Sequence, residues 1–297
     1  MRKYLNKTLS ACLGAFCAFS IQLAPVVHAQ TPGKPVSGPN VTGLADAGAS
    51  LKSEVAFVVD LNSNEVLFSK NSDTIRPIAS ISKLMTALVI AKAHLPMNEQ
   101  IQIVDADVDR FKYSSSRLSV GTTLTRRELL HLALMSSENR AAHALGRTYP
   151  GGMEAFVREM NAQARALGMT RSRFVEPTGL SPMNVSSPRD LVRLIQATSE
   201  QPLIRQLSTS DEYEVVTSNG KTQKYKNTNR LVRNSNWAIQ ISKTGYIKES
   251  GDCLVMKTQM DGRPVAVVLL NSQGRLTRFA DAVRVRHLVQ SDYPTLL

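Results

Sequence analysis

In the stretch PIASISKLMTALV, residues 77–89, a lysine stands in an otherwise apolar segment three positions after a serine. On a helix that spacing puts Ser80 and Lys83 on one face. Burying an ammonium costs several kcal/mol unless it is paired or gives up its proton. A lysine that gives it up is a base within reach of a hydroxyl, so the pair can make a nucleophile. Working as a base near neutrality requires a differential of about 4 kcal/mol between the two forms, which burial and a second nearby ammonium can supply. Ser80 falls near the helix start, where free backbone N–H groups favour a developing oxyanion.

Two further groups have side chains that could complete such a site. Ser137 and Asn139 lie in LALMSSENRAAHAL at a break between helices, and Lys243, Thr244 and Gly245 end a strand in ISKTGY. Isolated copies of these spacings carry little, since SNGK at 218–221 falls on a polar turn and SKN at 69–71 is a chance repeat. Ser137 or Asn139 also serves as a helix cap, a role compatible with catalysis. The order and contexts matter more: a serine–lysine pair opening a helix, polar side chains in an interhelical loop, then a lysine, a hydroxyl and a glycine on a strand. A glycine in that strand lets a substrate backbone approach closely.

The elements that must hold these residues are readable. EVAFVVDLNSNEVLFSK gives two strands around an Asn-Ser-Asn turn, and a mainly helical middle runs to about residue 208. In it TRRE at 125–128 is a capping box, Phe156, Val157, Met160 and Leu167 recur at helical spacing before Gly168, and SPRD at 187–190 opens another helix. EYEVVTSNGKTQKY reads as a hairpin, and WAIQISKTG, DCLVMKTQ and RPVAVVLLN read as strands. A last helix, roughly 275–290, carries Leu276, Phe279 and Val283. This order predicts an α/β chain of the α+β kind: an antiparallel five-stranded sheet with flanking helices and an inserted mainly helical lobe, the site lying in the cleft between lobes.

The ends and the composition narrow the setting. Residues 1–29 have the layout of a secretory signal peptide, with Arg2, Lys3 and Lys7 before an uncharged apolar run and a small-residue cleavage site after Ala29. LSAC, ending at Cys12, is not read as a lipidation site, because almost no apolar stretch precedes it. Residues 30–50 read as a flexible leader, and 51–297 as one domain with two lobes. The +12 charge of the whole chain is scattered and aromatics are few, so no nucleic-acid platform is visible. Only Cys253 remains after the signal, as a small apolar filler. No HExxH pattern occurs and His94, His131, His143 and His287 show no ligand spacing, so no metal or other cofactor is expected.

At this point RPIASISKLMTA, LALMSSENRAA, RFVEPTGLSP, NTNRL and SKTGY together resemble the D-alanyl-D-alanine endopeptidase group of low-molecular-mass penicillin-binding proteins, in the serine D,D-peptidase and β-lactamase-like superfamily. The resemblance runs from about 54 to 290 and implies a β-lactamase/transpeptidase-like fold. It implies Ser80 as the acylated nucleophile, Lys83 as general base and Ser137 as proton relay to the leaving amine. Asn139 would hold the substrate amide. Lys243 would help keep Lys83 neutral and, with Thr244 and Gly245 beside it, bind the carboxylate end. The N–H groups of Ser80 and Tyr246 would form the oxyanion hole. Expected partners are peptidoglycan stem peptides, with β-lactam antibiotics as covalent inhibitors. The expected place is the periplasm, with no stable membrane anchor, since only 52 residues follow Gly245 and strands and one helix use nearly all of them. Three rivals stand beside this reading. A D-alanyl-D-alanine carboxypeptidase shares the chemistry. A class A-like β-lactamase would need a deacylating glutamate, whereas Glu176 lacks the ExxLN context and reads as a loop-structuring residue. An inactive wall-binding protein would have no use for a lysine in that helix.

Overall fold

The computed structural model describes residues 51–217 and 220–292. The segments read as signal peptide and leader, and the tip of the SNGK turn at 218–219, lie outside the described residues.

Strands β1 (Ser53–Asp60) and β2 (Val66–Lys70) form the first hairpin, and β3 (Arg76–Pro77) leads through a 3-10 turn, Ala79–Ile81, into α1 (Ser82–Lys92). β4 (Gln100–Gln102) pairs with β5 (Thr123–Thr125), which runs into α2 (Arg126–Met135), α3 (Asn139–Arg147) and α4 (Gly152–Ala166). β6 (Val185–Ser186) pairs back to β3 and is followed by α5 (Pro188–Ser199) and α6 (Pro202–Ser208). A separate hairpin, β7 (Glu212–Val216) and β8 (Thr222–Lys226), precedes a 3-10 turn at Arg230–Arg233. Then come β9 (Ile241–Ile247), β10 (Gly251–Met260), β11 (Arg263–Ser272) and α7 (Thr277–Asp292).

The main sheet has five strands in the order β2-β1-β11-β10-β9, every neighbouring pair antiparallel. Both faces are covered, which is why β1 and β11 are near-continuous apolar runs rather than alternating ones. Val55, Phe57, Val255, Val268 and Leu270 face the helical lobe around α1, while Ala56, Val58, Met256, Val267 and Leu269 face α7. Asp281 anchors α7 to the first strand: its buried carboxylate accepts from the N–H of Ser53 at 2.6 Å and from Ser53 Oγ at 2.7 Å.

The expected helix signals are realised. Thr125 and Glu128 form the capping box of α2, each side chain bonding the other's backbone N–H, an arrangement whose cap alone is worth about 1 kcal/mol. Ser187 caps α5 with Pro188 in its first turn. Two readings change. The strand expected from Trp237 begins only at Ile241, because Trp237 packs in the second core with Arg286 stacked 5.0 Å from its ring. On the last helix the sheet-facing residues are Phe279, Ala282, Val285 and Val289, whereas Leu276 and Val283 are exposed. Ala282 is small enough for the helix to lie close to the sheet, and that close face leaves Val283 outside.

Candidate active site

Ser80 sits two residues before the helix proper, in the 3-10 turn that runs into α1. The turn begins at Ala79, whose φ of 47° lies in the left-handed region, a conformation costing about 1–3 kcal/mol in a non-glycine residue. Tight packing holds it there. Gly179, at φ 80°, comes so close that a Cβ would fall 1.9 Å from the Ala79 carbonyl oxygen. Ser82 Oγ also donates to that carbonyl at 2.8 Å and accepts from Asn184 at 3.0 Å.

Lys83 is buried, and its Nζ lies 2.8 Å from Ser80 Oγ, 2.8 Å from Asn139 Oδ1 and 2.6 Å from the Thr178 carbonyl oxygen. A neutral amine has two N–H groups and one lone pair. The two carbonyl-type oxygens are acceptors only, so they take both N–H groups and aim the lone pair at the Ser80 hydroxyl. Burial lowers Lys83 to about 8, against an opposing pull from the Glu176 and Glu138 carboxylates. At that value roughly one-tenth of the lysine is neutral at pH 7.

Ser137 has a φ of 62°, also left-handed, in the tight break between α2 and α3. Its hydroxyl accepts from Lys243 Nζ at 2.9 Å, and the same nitrogen donates to the Thr244 carbonyl at 2.9 Å. Lys243 is pushed well below the usual lysine range, first by burial, then by the positive charges of Lys83 and Arg278. The sequence reading has Lys243 helping to keep Lys83 neutral; in the structure the charge of Lys83 lowers Lys243, whereas Lys83 is lowered by its own burial. Asn139 starts α3 and reaches both ways, accepting from Lys83 and donating to Ser114 at 2.8 Å.

Strand β9 closes the site along one edge of the sheet. Gly245 passes Ser80 so closely that a Cβ would lie 3.1 Å from the Ser80 backbone N. The absence of a side chain there brings β9 alongside the Ser80 N–H. Thr244 Oγ1 bonds Thr228 Oγ1 at 2.6 Å, and the Asn-Thr-Asn segment is fastened to its surroundings by Asn227, which donates to Ser208 and Ser210, and by Asn229, which donates to Ser242. Tyr246 is 63% exposed at the rim. All eight residues singled out in the sequence therefore converge on one cleft, except that Lys83 and Lys243 lie beneath its floor, reached through Ser80 and Ser137.

Sequence reasoning missed three contributors. The Thr178 carbonyl that orients Lys83 is backbone, invisible to residue type. Glu138, between the two singled-out residues of SEN, is buried and caps α3. Arg278 on α7 donates to the carbonyls of Gly245 and Cys253 and pairs with Asp252 at 3.0 Å, bracing β9 from behind. Glu176 behaves as expected: its carboxylate accepts from the backbone of Thr178, Gly179 and Ser181 and from Asn184, tying its loop together. Cys253 is buried and free, and burial raises its thiol.

The cleft has two arms. One, about 420 Å3, runs from Ser80 past Thr244 and Tyr246 to the start of α7. The other, about 280 Å3 and more apolar, lies toward Val108, Phe111, His143 and Leu180. Lys112, next in the chain to Phe111, forms an ion pair with Glu249 in the β9–β10 turn, joining helical lobe to sheet. Among the described residues no group of three or more histidine, cysteine or acidic side chains could hold a metal ion, and no helix is long and apolar enough to cross a membrane.

Residues 42–274 match the family model described as D-alanyl-D-alanine carboxypeptidase. The chain is 48% identical over 237 residues to the D-alanyl-D-alanine endopeptidase of Escherichia coli (strain K12), covering 80% of this chain and 76% of that protein. It is 44% identical over 283 residues to the D-alanyl-D-alanine endopeptidase of Pseudomonas aeruginosa, covering 94% and 87%. Among solved structures, the Streptomyces K15 DD-transpeptidase superimposes with a TM-score of 0.75 at 27% identity, covering 82% of this chain and 98% of that one. Penicillin-Binding Protein D2 from Listeria monocytogenes, in a cefotaxime-bound form, gives 0.69 at 29% identity, covering 80% and 97%.

Proposed function

This chain belongs to the D-alanyl-D-alanine carboxypeptidase family, and from that premise we propose that its eight convergent residues carry out an acyl transfer that opens D-alanyl–diaminopimelate cross-links in peptidoglycan. It is a serine-type D-Ala-D-Ala peptidase, a hydrolase of the cell wall. The observation that carries the mechanism is the Lys83 amine, with both N–H positions occupied by Asn139 and Thr178 and its remaining valence 2.8 Å from Ser80 Oγ.

In this reading Lys83 takes the Ser80 proton as Oγ attacks the D-alanine carbonyl carbon. The developing oxyanion lies between the N–H groups of Ser80 and Tyr246. The C–N bond breaks, and the amine of the neighbouring stem leaves with a proton delivered through the Ser137 hydroxyl, which Lys243 holds in place. Asn139 binds the amide of the acyl half, and Thr244, with Lys243 beneath it, the carboxylate next to the leaving amine. Water then hydrolyses the ester, returning Ser80. A β-lactam opens on the same serine, but the amine freed from its ring stays tethered to the acyl group and does not depart. Glu176, whose oxygens are engaged by its own loop, is not a base for rapid release, so the drug remains attached. Residues 1–29 would direct export to the periplasm, 30–50 would link, and 51–297 would form the peptidase domain.

The test gives purified protein a cross-linked muropeptide dimer and a free pentapeptide in parallel and follows products by mass, with Ser80→Ala as control. Monomers from the dimer, absent in the control, are the expected result. Loss of terminal D-alanine alone would move the chain to a carboxypeptidase.

A further inference from the structure

Four arginines line the larger arm of the cleft: Arg230, Arg233, Arg275 and Arg278. Two are already neutralised. Arg278 pairs with Asp252, the one carboxylate in that lining, at 3.0 Å, and Arg233 pairs with Asp211 at 3.3 Å. Arg230 and Arg275 are exposed, and among the described residues neither is paired with a carboxylate. Arg230 lies 5.9 Å from the Phe279 ring, which braces its position, and the exposed Leu276 forms apolar floor beside Arg275. Arg275 also disfavours the charge on Arg278, so its own charge is felt along this wall. With Asp252 and Asp211 taken up by Arg278 and Arg233, the two unpaired guanidiniums leave the wall net positive, which concentrates anions at its mouth.

We infer that Arg230 and Arg275 bind the distal carboxylates of the leaving stem peptide, and so select cross-linked over uncross-linked substrate; this rests on the endopeptidase reading. The argument is chemical. A leaving D-alanine carries a single carboxylate, beside its amine, and Thr244 with Lys243 accounts for that one. A leaving stem carries that carboxylate too, and beyond it the free α-carboxylate of a γ-linked glutamate and the carboxylate at its own chain end. These lie several bonds further out, along the arm that begins at Thr244 and ends at the two free guanidiniums. Guanidinium suits the task because its planar donors can grip a carboxylate bidentately while staying charged. Neither arginine touches Ser80, Lys83 or Lys243 through any bond described above, so chemistry and recognition are separable.

The experiment compares wild type with an Arg230→Gln, Arg275→Gln double variant in three assays: cleavage of the muropeptide dimer, trimming of the pentapeptide, and acylation by penicillin. The variant should lose roughly 20-fold in kcat/KM on the dimer, mainly through KM. Its pentapeptide and penicillin rates should stay within about twofold. Wild type given a dimer whose distal carboxylates are amidated should show the same loss, and the variant should not distinguish the two dimers. Equal cleavage of native and amidated dimer by wild type would overturn the assignment. So would a parallel fall in penicillin acylation, which would mean the arginines shape the site. A wild type that acylates with penicillin and trims the pentapeptide yet leaves the dimer whole would sink the endopeptidase reading, and this assignment with it.

Discussion

The two ends of the cleft are built on opposite principles. Around Ser80 the polar groups are satisfied internally: Lys83 has three neighbours, Lys243 two, and Ala79 and Ser137 are held in left-handed backbone by what packs on them. Around Arg230 and Arg275 the charges are open to solvent and unopposed. The first end is set before substrate arrives, as a site must be if its dipoles are to stabilise a transition state without reorganising. The second is completed by whatever anion enters. Damage to the first should therefore abolish reaction with every acylating agent, and damage to the second should change only which substrate is preferred.

The sharpest break of that contrast is at Lys83. Lys83→Met removes the base while keeping the chain in its apolar slot. Acylation by penicillin and by the dimer should both fall at least about 10³-fold, measured as the rate of covalent adduct formation. Next in size is Gly179→Ala. A Cβ there collides with the Ala79 carbonyl. The nucleophile turn must move, with an expected loss of about 10²-fold in acylation and a lowered midpoint of thermal unfolding. An alanine variant that acylates normally would show that the left-handed turn is not needed for the chemistry.

The smallest effect is a shift along the pH axis. Because burial holds Lys83 at about 8 and only the neutral amine accepts a proton, penicillin acylation should rise about tenfold per pH unit below that value and level off above it. Glu138 pulls Lys83 upward. Glu138→Gln should therefore move the rising limb to lower pH with the plateau unchanged. A limb that stays in place would show that Glu138 acts only as a helix cap.

How much of this was legible in the sequence follows from what kind of atom does the work. In the proposed mechanism Ser80, Lys83, Ser137, Asn139 and Lys243 act through side chains, and their spacings on helix, loop and strand pointed to them. Strands β1 and β11 were legible because burial on both faces makes unbroken apolar runs, VAFVV and VAVVLL. The start of β9 was misplaced because ISKTGYI mixes polar residues of the site into the strand. Thr178 was not legible as a partner of Lys83, since it acts through a carbonyl whose direction depends on the Glu176 loop. Arg278 was hidden for a related reason, as its acceptors are carbonyls on β9 and β10. Arg230 and Arg275 looked like any other scattered cations. Only the fold brings a 3-10 turn and the start of the last helix to one wall.

The strand order also governs how the chain reaches this state. β1 lies between β2 and β11, and its pairing with β11 joins Ser53 to Ser272, 219 positions along the chain. The local hairpin can form early, but one edge of β1 stays open until almost the whole polypeptide is available. Non-local pairing of this kind must overcome loop-closure entropy before any contact rewards it, so folding belongs in the slower, topology-limited regime. Meanwhile an apolar strand edge is exposed to self-association. A chain truncated before residue 263 lacks the strand that covers that edge and is expected to aggregate rather than fold, whatever the state of its catalytic residues.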